Sequence, residues 1–393
     1  MESTPRANRL HIGLFGRRNA GKSSLINALT GQQVSLVSDV AGTTTDPVYQ
    51  AMELHGFGPV VFIDTAGLDD EGPLGALRIE RTKEAAARTD VAVMVFADEP
   101  CGEGPWIEEF RKRNVPVVAA VTKSDCGGAA RTAEAVRAQF GLEPVIVSAA
   151  SGEHIDQLRA QIVRAAPDDF WDLTITGELV HAGDLVLLVM PQDIEAPKGR
   201  LILPQVQTIR ELLDKKCPVM SCTADKLDET LRCLAFPPKL IITDSQAFAA
   251  VWPKKPPESL LTSFSILFAG YKGDIDAFLR SAEVIPRLSG SSRVLIAEAC
   301  AHAPAGEDIG RVKIPTLLRR KYGADMRFDF VRGNDFPADL TPYDLVIHCG
   351  ACMFNRRHVL ARIEQAERQG VPICNYGIVL ASLTGILDKV CHA

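Results

Sequence analysis

The stretch Gly16-Arg17-Arg18-Asn19-Ala20-Gly21-Lys22-Ser23 constrains the fold of this chain more than any other. A short apolar run, Leu10 to Phe15, leads into it, and a helical pattern, Ser24 to Leu29, follows. Strand, glycine-rich turn and helix in that order are what a phosphate-binding loop requires. The glycines let backbone N–H groups close round a diphosphate, and the helix N-terminus adds partial positive charge. Gly16, Asn19, Ala20, Gly21, Lys22, Ser23 and Ser24 are the expected cradle, with the Lys22 ammonium on the terminal phosphates and the Ser23 hydroxyl on Mg2+.

Four further segments narrow the nucleotide. Gly42-Thr43-Thr44-Thr45-Asp46 is a polar loop whose Thr44 hydroxyl is expected to complete the Mg2+ shell. Asp64-Thr65-Ala66-Gly67 closes the apolar run Val60 to Ile63, bringing a carboxylate to the metal and the Gly67 N–H to the γ-phosphate. Thr122-Lys123-Ser124-Asp125 ends the run Val117 to Val121, and the Asp125 carboxylate accepts from the N1–H and 2-amino group that guanine has and adenine lacks. Ser148-Ala149-Ala150, after Val145 to Val147, backs the base. The expected reaction is GTP to GDP and phosphate, with Lys22, Asn19, Thr44, Asp64 and Gly67 at the reacting end. Leu68 stands where the glutamine that orients the attacking water is found in Ras-type proteins, which predicts slow unaided hydrolysis. Thr122 replaces the asparagine usual at the start of the base motif, and is expected to loosen that loop without altering the guanine contact.

Apolar runs continue to alternate with helical spacing: a strand over Asp184 to Met190, helix Leu203 to Lys216, strand Pro218 to Cys222, helix Leu227 to Ala235, strand Lys239 to Thr243 and a short helix Gln246 to Val251. Then come a strand over Ser263 to Phe268, helix Ile275 to Glu283, strand Arg293 to Ala297, helix Thr316 to Tyr322, strands Met326 to Val331 and Asp344 to Ile347, helix Arg357 to Gln369 and strand Val371 to Cys374. The predicted fold class is α/β: a P-loop GTPase domain over 1–168, followed by two smaller α/β domains with mainly parallel sheets, 169–262 and 263–393. A chain of 393 residues exceeds a single ordinary core, consistent with that division. Its net charge of −6 argues against a partner held by neutralising many phosphates, so no nucleic acid is expected. No apolar run approaches the ~20 residues of a membrane span, and residues 1–9 lack a signal-peptide core. The expected setting is the cytoplasm, off the membrane.

Ten cysteines in such a chain are expected to be reduced. Cys217, Cys222 and Cys233 read as core thiols. Cys300-Ala301-His302 and His348-Cys349-Gly350-Ala351-Cys352 differ, because both lie just past the carboxyl ends of predicted strands. If those strands are parallel, Cys300, Cys349 and Cys352 open into one crevice. Three readings stay open on the residues alone: a Cys3His zinc site using His302 or His348, an iron–sulfur cluster on three thiolates, or a redox dithiol.

The nucleotide motifs resemble those of the TrmE/Era-like branch of translation-factor-type GTPases. That resemblance implies that Asn19 ligates a K+ ion that stimulates hydrolysis. Joined to the C-x-H and H-C-x-x-C pair, the whole chain resembles the HydF family of FeFe-hydrogenase maturation GTPases, with Ala351 where a glycine is common. The Asp308-Ile309-Gly310-Arg311-Val312-Lys313-Ile314-Pro315 segment adds to it. The resemblance implies a 4Fe-4S cluster on Cys300, Cys349 and Cys352, with His302, His348, Glu307 or an exogenous group on the fourth iron. It also implies a homodimer through the middle domain and a scaffold role. A transient diiron subcluster precursor would arrive from the radical-SAM maturases HydE and HydG and leave for apo FeFe-hydrogenase. The competing reading is a TrmE/Era-like RNA-modification or ribosome-assembly GTPase with a zinc-binding C-terminal domain.

Overall fold

The computed structural model describes residues 5–31, 47–54, 57–69, 72–168, 170, 172–190, 201–299 and 308–393. Thr44, Cys300, His302 and Glu307 lie outside the described residues. The chain forms two compact units, Met1–Phe170 and Trp171–Ala393.

The first unit contains β1 (Leu10–Phe15), α1 (Lys22–Thr30), β2 (Val48–Leu54), β3 (Gly58–Asp64), α2 (Gly72–Ala87) and β4 (Val91–Phe96). It continues with α3 (Gly104–Lys112), β5 (Val117–Val121), α4 (Ala129–Phe140), β6 (Val145–Ile146) and α5 (Ile155–Ala165). The strands form one sheet in the order β2-β3-β1-β4-β5-β6. Only the β2–β3 pair is antiparallel. Every residue of β1 and β4 is buried, which is why both read as unbroken apolar runs: helices cover both faces of a parallel sheet.

The second unit carries two four-stranded sheets, each parallel throughout. The first is built from β7 (Val186–Val189), α6 (Leu203–Asp214), β8 (Val219–Cys222), α7 (Leu227–Arg232), β9 (Leu240–Thr243), α8 (Phe248–Val251) and β10 (Leu260–Ser263), in strand order β10-β9-β7-β8. Then follow α9 (Phe264–Lys272), α10 (Ile275–Ala282), β11 (Arg293–Glu298), α11 (Ile314–Tyr322), β12 (Arg327–Arg332), β13 (Leu345–His348), α12 (Arg356–Arg368), β14 (Ile373–Asn375) and α13 (Tyr376–Thr384), in strand order β12-β11-β13-β14.

Two expectations change. The apolar run after Ser263, expected as a strand, is helix α9, and the Ser263 side chain caps it by accepting from Ile266 N. A helix buried nearly all round has no polar face, so its periodicity resembles that of a buried strand. Phe264, Leu267 and Phe268 join the core under β7 and β9, while Ile266 and Ala269 join the core under β11 and β13. At about 1.5–3 kcal/mol for each large apolar side chain buried, this one helix contributes to both cores. Cys233, expected in the core, is exposed, because α7 ends at Arg232 and Cys233 is its C-cap. Among the described residues no helix is long and apolar enough to cross a membrane.

Candidate functional site

The phosphate loop leaves β1 at Gly16, where a Cβ would lie 2.3 Å from the Val95 carbonyl oxygen. Asn19 and Gly21 both take left-handed backbone, φ +57° and +87°, which glycine adopts freely and asparagine tolerates. Lys22 is buried, and its ammonium donates to the carbonyls of Gly16 and Arg17 at 2.9 Å each, placing a positive charge on the loop itself. Ser23 Oγ donates to Asp64 Oδ2 at 2.6 Å, so the two side chains expected on Mg2+ meet.

The loop after β3 lies directly on the phosphate loop. Leu68 N donates to Gly16 O (3.2 Å), and Arg18 N donates to Asp69 Oδ1 (2.7 Å). A Cβ at Gly67 would meet Arg18 N at 2.9 Å, which is the close approach its glycine permits. Arg17 is held by Glu103, Nε to Oε1 at 3.0 Å, and Glu103 is 1% exposed. Asp69 and Glu103 were not legible as loop partners, since neither falls in a nucleotide motif.

At the base end, Asp125 Oδ1 accepts from Ser148 Oγ at 2.7 Å, and that bond first of all holds the carboxyl below its ordinary range. An ionised, oriented carboxylate is what guanine recognition needs. Lys123 adopts φ +59° between Thr122 and this pair, and Ala149 follows Ser148 half-buried. Thr122 does not loosen its loop as expected. Its hydroxyl donates to Ala20 O at 2.7 Å, tying the base motif to the phosphate loop.

The second cluster sits at the carboxyl edge of the last sheet. Ala297 of β11 pairs with His348 of β13, and His348 pairs with Asn375 of β14. The parallel arrangement expected from the sequence is therefore present, and Ala299, Cys349 and Tyr376 step off three adjacent strands. Ala299 N donates to Cys349 Sγ at 3.0 Å, so the residue before Cys300 already touches the second thiol. Burial pushes the Cys349 thiol up to about 11, opposed by the amides of Ala299 and Ala351. Those amides are the donors a thiolate ligand requires. Ala351 holds φ +53° between Cys349 and Cys352, so the change from glycine carries backbone cost that the sequence alone does not show.

His348 is 1% exposed and both its ring nitrogens are engaged. Nδ1 donates to Cys349 O at 2.8 Å and Nε2 accepts from Arg362 Nη1 at 2.9 Å. Burial and the Arg362 charge push the imidazole down to about 3, keeping it neutral. Ligating iron through either nitrogen would break one of these bonds, so this geometry makes His348 a brace for the Cys349 backbone. Among the described residues no three His, Cys, Asp or Glu side chains converge as a metal site.

Residues 276–393 match the hydrogen maturase F tetramerization domain and residues 175–273 the hydrogen maturase F dimerization domain. Residues 11–123 match the 50S ribosome-binding GTPase domain. GTPase Der of Wolinella succinogenes is 37% identical over 170 residues, covering 39% of this chain and 35% of that protein. The tRNA modification GTPase MnmE of Burkholderia orbicola is 39% identical over 161 residues, covering 40% of this chain and 34% of that protein. The chain thus spans about a third of the length of these curated relatives. Among solved structures, an Aquifex aeolicus Era variant bound to GDP·AlF4− is 20% identical with TM-score 0.37, covering 57% of this chain and 98% of that one. NFeoB from S. thermophilus bound to GDP·AlF4− and K+ is 18% identical with TM-score 0.32, covering 44% and 74%. The first unit is thus a GTPase domain, and the dimerization and tetramerization domains make the chain an oligomer-forming one. These two domains together cover more than half of the chain and follow the GTPase domain in order: the chain belongs to the hydrogen maturase F family.

Proposed function

We propose that this chain is a GTP-hydrolysing scaffold of FeFe-hydrogenase maturation, which holds a 4Fe-4S cluster through Cys300, Cys349 and Cys352. It receives the diiron subcluster precursor made by HydE and HydG and passes it to the apo-hydrogenase. The observation that carries the reading is the Cys349 sulfur at a parallel-sheet edge, with the amides of Ala299 and Ala351 on it and Cys300 next in sequence to Ala299. A cluster there would supply an iron with a ligand position open to exchange, which suits a carrier. The proposed domain limits, 1–168, 169–262 and 263–393, place the cluster in the last domain.

In the GTPase domain, Lys22 exchanges its two loop carbonyls for phosphate oxygens, and Ser23 and Asp64 hold Mg2+ together with Thr44. The Gly67 N–H meets the γ-phosphate, and Asp125 with Ser148 reads guanine. Gly16, Ala20, Gly21 and Ser24 complete the cradle, and Thr122, Lys123 and Ala149 frame the base. Leu68 supplies no polar group for the attacking water, so hydrolysis is slow, and Asn19 would hold a K+ ion that would supply positive charge beside the phosphates. Binding and hydrolysis reorder the loop after Gly67, which already rests on Gly16 and Arg18.

Anaerobic purification followed by iron, sulfide and zinc analysis tests the cluster. Four irons with matching sulfide per chain are expected, reduced in Cys349→Ser. Stoichiometric zinc without iron or sulfide overturns the reading.

A further inference from the structure

The loop after β3 is fastened to the phosphate loop by two hydrogen bonds, and one of them ends on a carboxylate. Leu68 N donates to Gly16 O (3.2 Å), and Arg18 N donates to Asp69 Oδ1 (2.7 Å). Gly67, just ahead of both, packs so closely that a Cβ there would lie 2.9 Å from Arg18 N and 2.9 Å from Asp69 Oδ1. Gly67 is buried and Asp69 is exposed, so the carboxylate closes over the Gly67 and Arg18 backbone from the solvent side. A carboxylate on a backbone amide makes a charge-assisted bond, stronger than the neutral Leu68–Gly16 bond beside it.

That position sets Asp69 against a third phosphate. Given ordinary bond and hydrogen-bond lengths, a γ-phosphate oxygen that accepts from Gly67 N comes within about 8 Å of the Asp69 carboxylate. Both groups are anionic. In a water-like medium at that separation, one charge on the phosphate weakens binding about 2-fold and two charges about 6-fold. GDP stops one phosphate short of Gly67 and leaves the carboxylate where it is.

We propose that Asp69 is the residue through which this loop tells GTP from GDP. Its carboxylate holds the loop on Arg18 N when GDP is bound and is driven off when a γ-phosphate reaches Gly67. This rests on the reading of Gly67 as the γ-phosphate contact and names the residue that opposes it. Asp69 is thus a specificity-determining residue that weakens GTP binding relative to GDP. Part of the binding free energy of the third phosphate goes into lifting the loop, because the nucleotide favours the lifted form only through that phosphate. Leu68 N leaves Gly16 O in the same movement, and loss of the γ-phosphate lets both bonds form again.

The test measures GDP and GTPγS affinity of the full chain by isothermal titration calorimetry, with Mg2+ present, in wild type, Asp69→Asn and Asp69→Ala. Asparagine keeps an oxygen for Arg18 N and removes the charge, whereas alanine removes both. The preference for GTPγS over GDP is expected to rise about 2- to 6-fold in Asp69→Asn, and at least as much in Asp69→Ala. Residue-resolved hydrogen–deuterium exchange on wild type reads the loop itself. When GTPγS replaces GDP, the Gly67 amide is expected to gain protection and the Leu68 amide to lose it. An unchanged preference in Asp69→Asn, or equal tightening of both nucleotides, overturns the role of Asp69. A Leu68 amide equally protected by both nucleotides also overturns it and leaves the Gly67 contact standing. A Gly67 amide that gains no protection with GTPγS overturns that contact, and this inference falls with it.

Discussion

Thr122 offers the sharpest test of how the nucleotide site is held. It is 2% exposed, its hydroxyl donates to Ala20 O at 2.7 Å, and its backbone N–H donates to Phe96 O at 2.8 Å. Thr122→Val keeps the shape and the backbone bond but deletes the tie to the phosphate loop. A neutral hydrogen bond contributes about 1 kcal/mol net, and an acceptor left buried costs about 1–3 kcal/mol. If 1–2 kcal/mol of that reaches nucleotide binding, GDP and GTP affinity falls roughly 5- to 30-fold. Discrimination against ADP is unchanged, because Asp125 and Ser148 are untouched. Asp125→Asn is the contrasting variant. It loses charge-assisted bonds of about 1.5–3 kcal/mol each and gains an N–H suited to the C2 oxygen of xanthine. Isothermal titration calorimetry with GDP, ADP and xanthosine diphosphate separates the two. Wild-type GDP affinity in Thr122→Val, or a loss of discrimination against ADP there, refutes the reasoning.

Three further outcomes follow from the same geometry. Burial pushes the Cys374 thiol up to about 12, so iodoacetamide at pH 8 should label exposed Cys101, Cys126 and Cys233 and spare Cys374 until unfolding, read by mass spectrometry. Because the folded value lies above the unfolded one, the stability this thiol contributes is complete below about pH 8.5–9 and is lost as pH rises towards 12. Gly310→Ala drives a Cβ into the Tyr376 hydroxyl and should cost about 1–3 kcal/mol in denaturant unfolding, with partial recovery when Tyr376→Phe is added. Asn19→Ala should abolish any gain in GTP turnover when Na+ is replaced by K+, with GDP affinity changed less than threefold, roughly within 0.7 kcal/mol.

Local signals were read closely where the chain announces its own boundaries. β5 runs over the residues its pattern predicts, Val117–Val121, because polar and glycine-containing loops flank a buried strand. Where burial is uniform the pattern loses direction, and α9 is the result. Long-range pairings were not legible at all. Arg17 meets Glu103 from 86 positions away, and Arg362 meets His348 across 14, through contacts that only the folded sheet creates. The family motif makes His348 a candidate ligand. The fold instead turns its ring to Arg362 and to the Cys349 carbonyl.

The register of β14 decides what faces Cys349, and that register rests on Asn375. Its side-chain oxygen accepts from Gly377 N at 2.7 Å, capping α13, and from Ser265 Oγ at 3.0 Å, fixing the strand end to α9. Gly377 allows the approach, since a Cβ there would lie 2.8 Å from the Ser265 side chain. A one-residue slip of β14 would reverse the face of every side chain on it and carry Tyr376 away from Cys349. α9 packs against the cores of both sheets in the unit, so the same helix that joins them also sets the register of the strand beside the thiol.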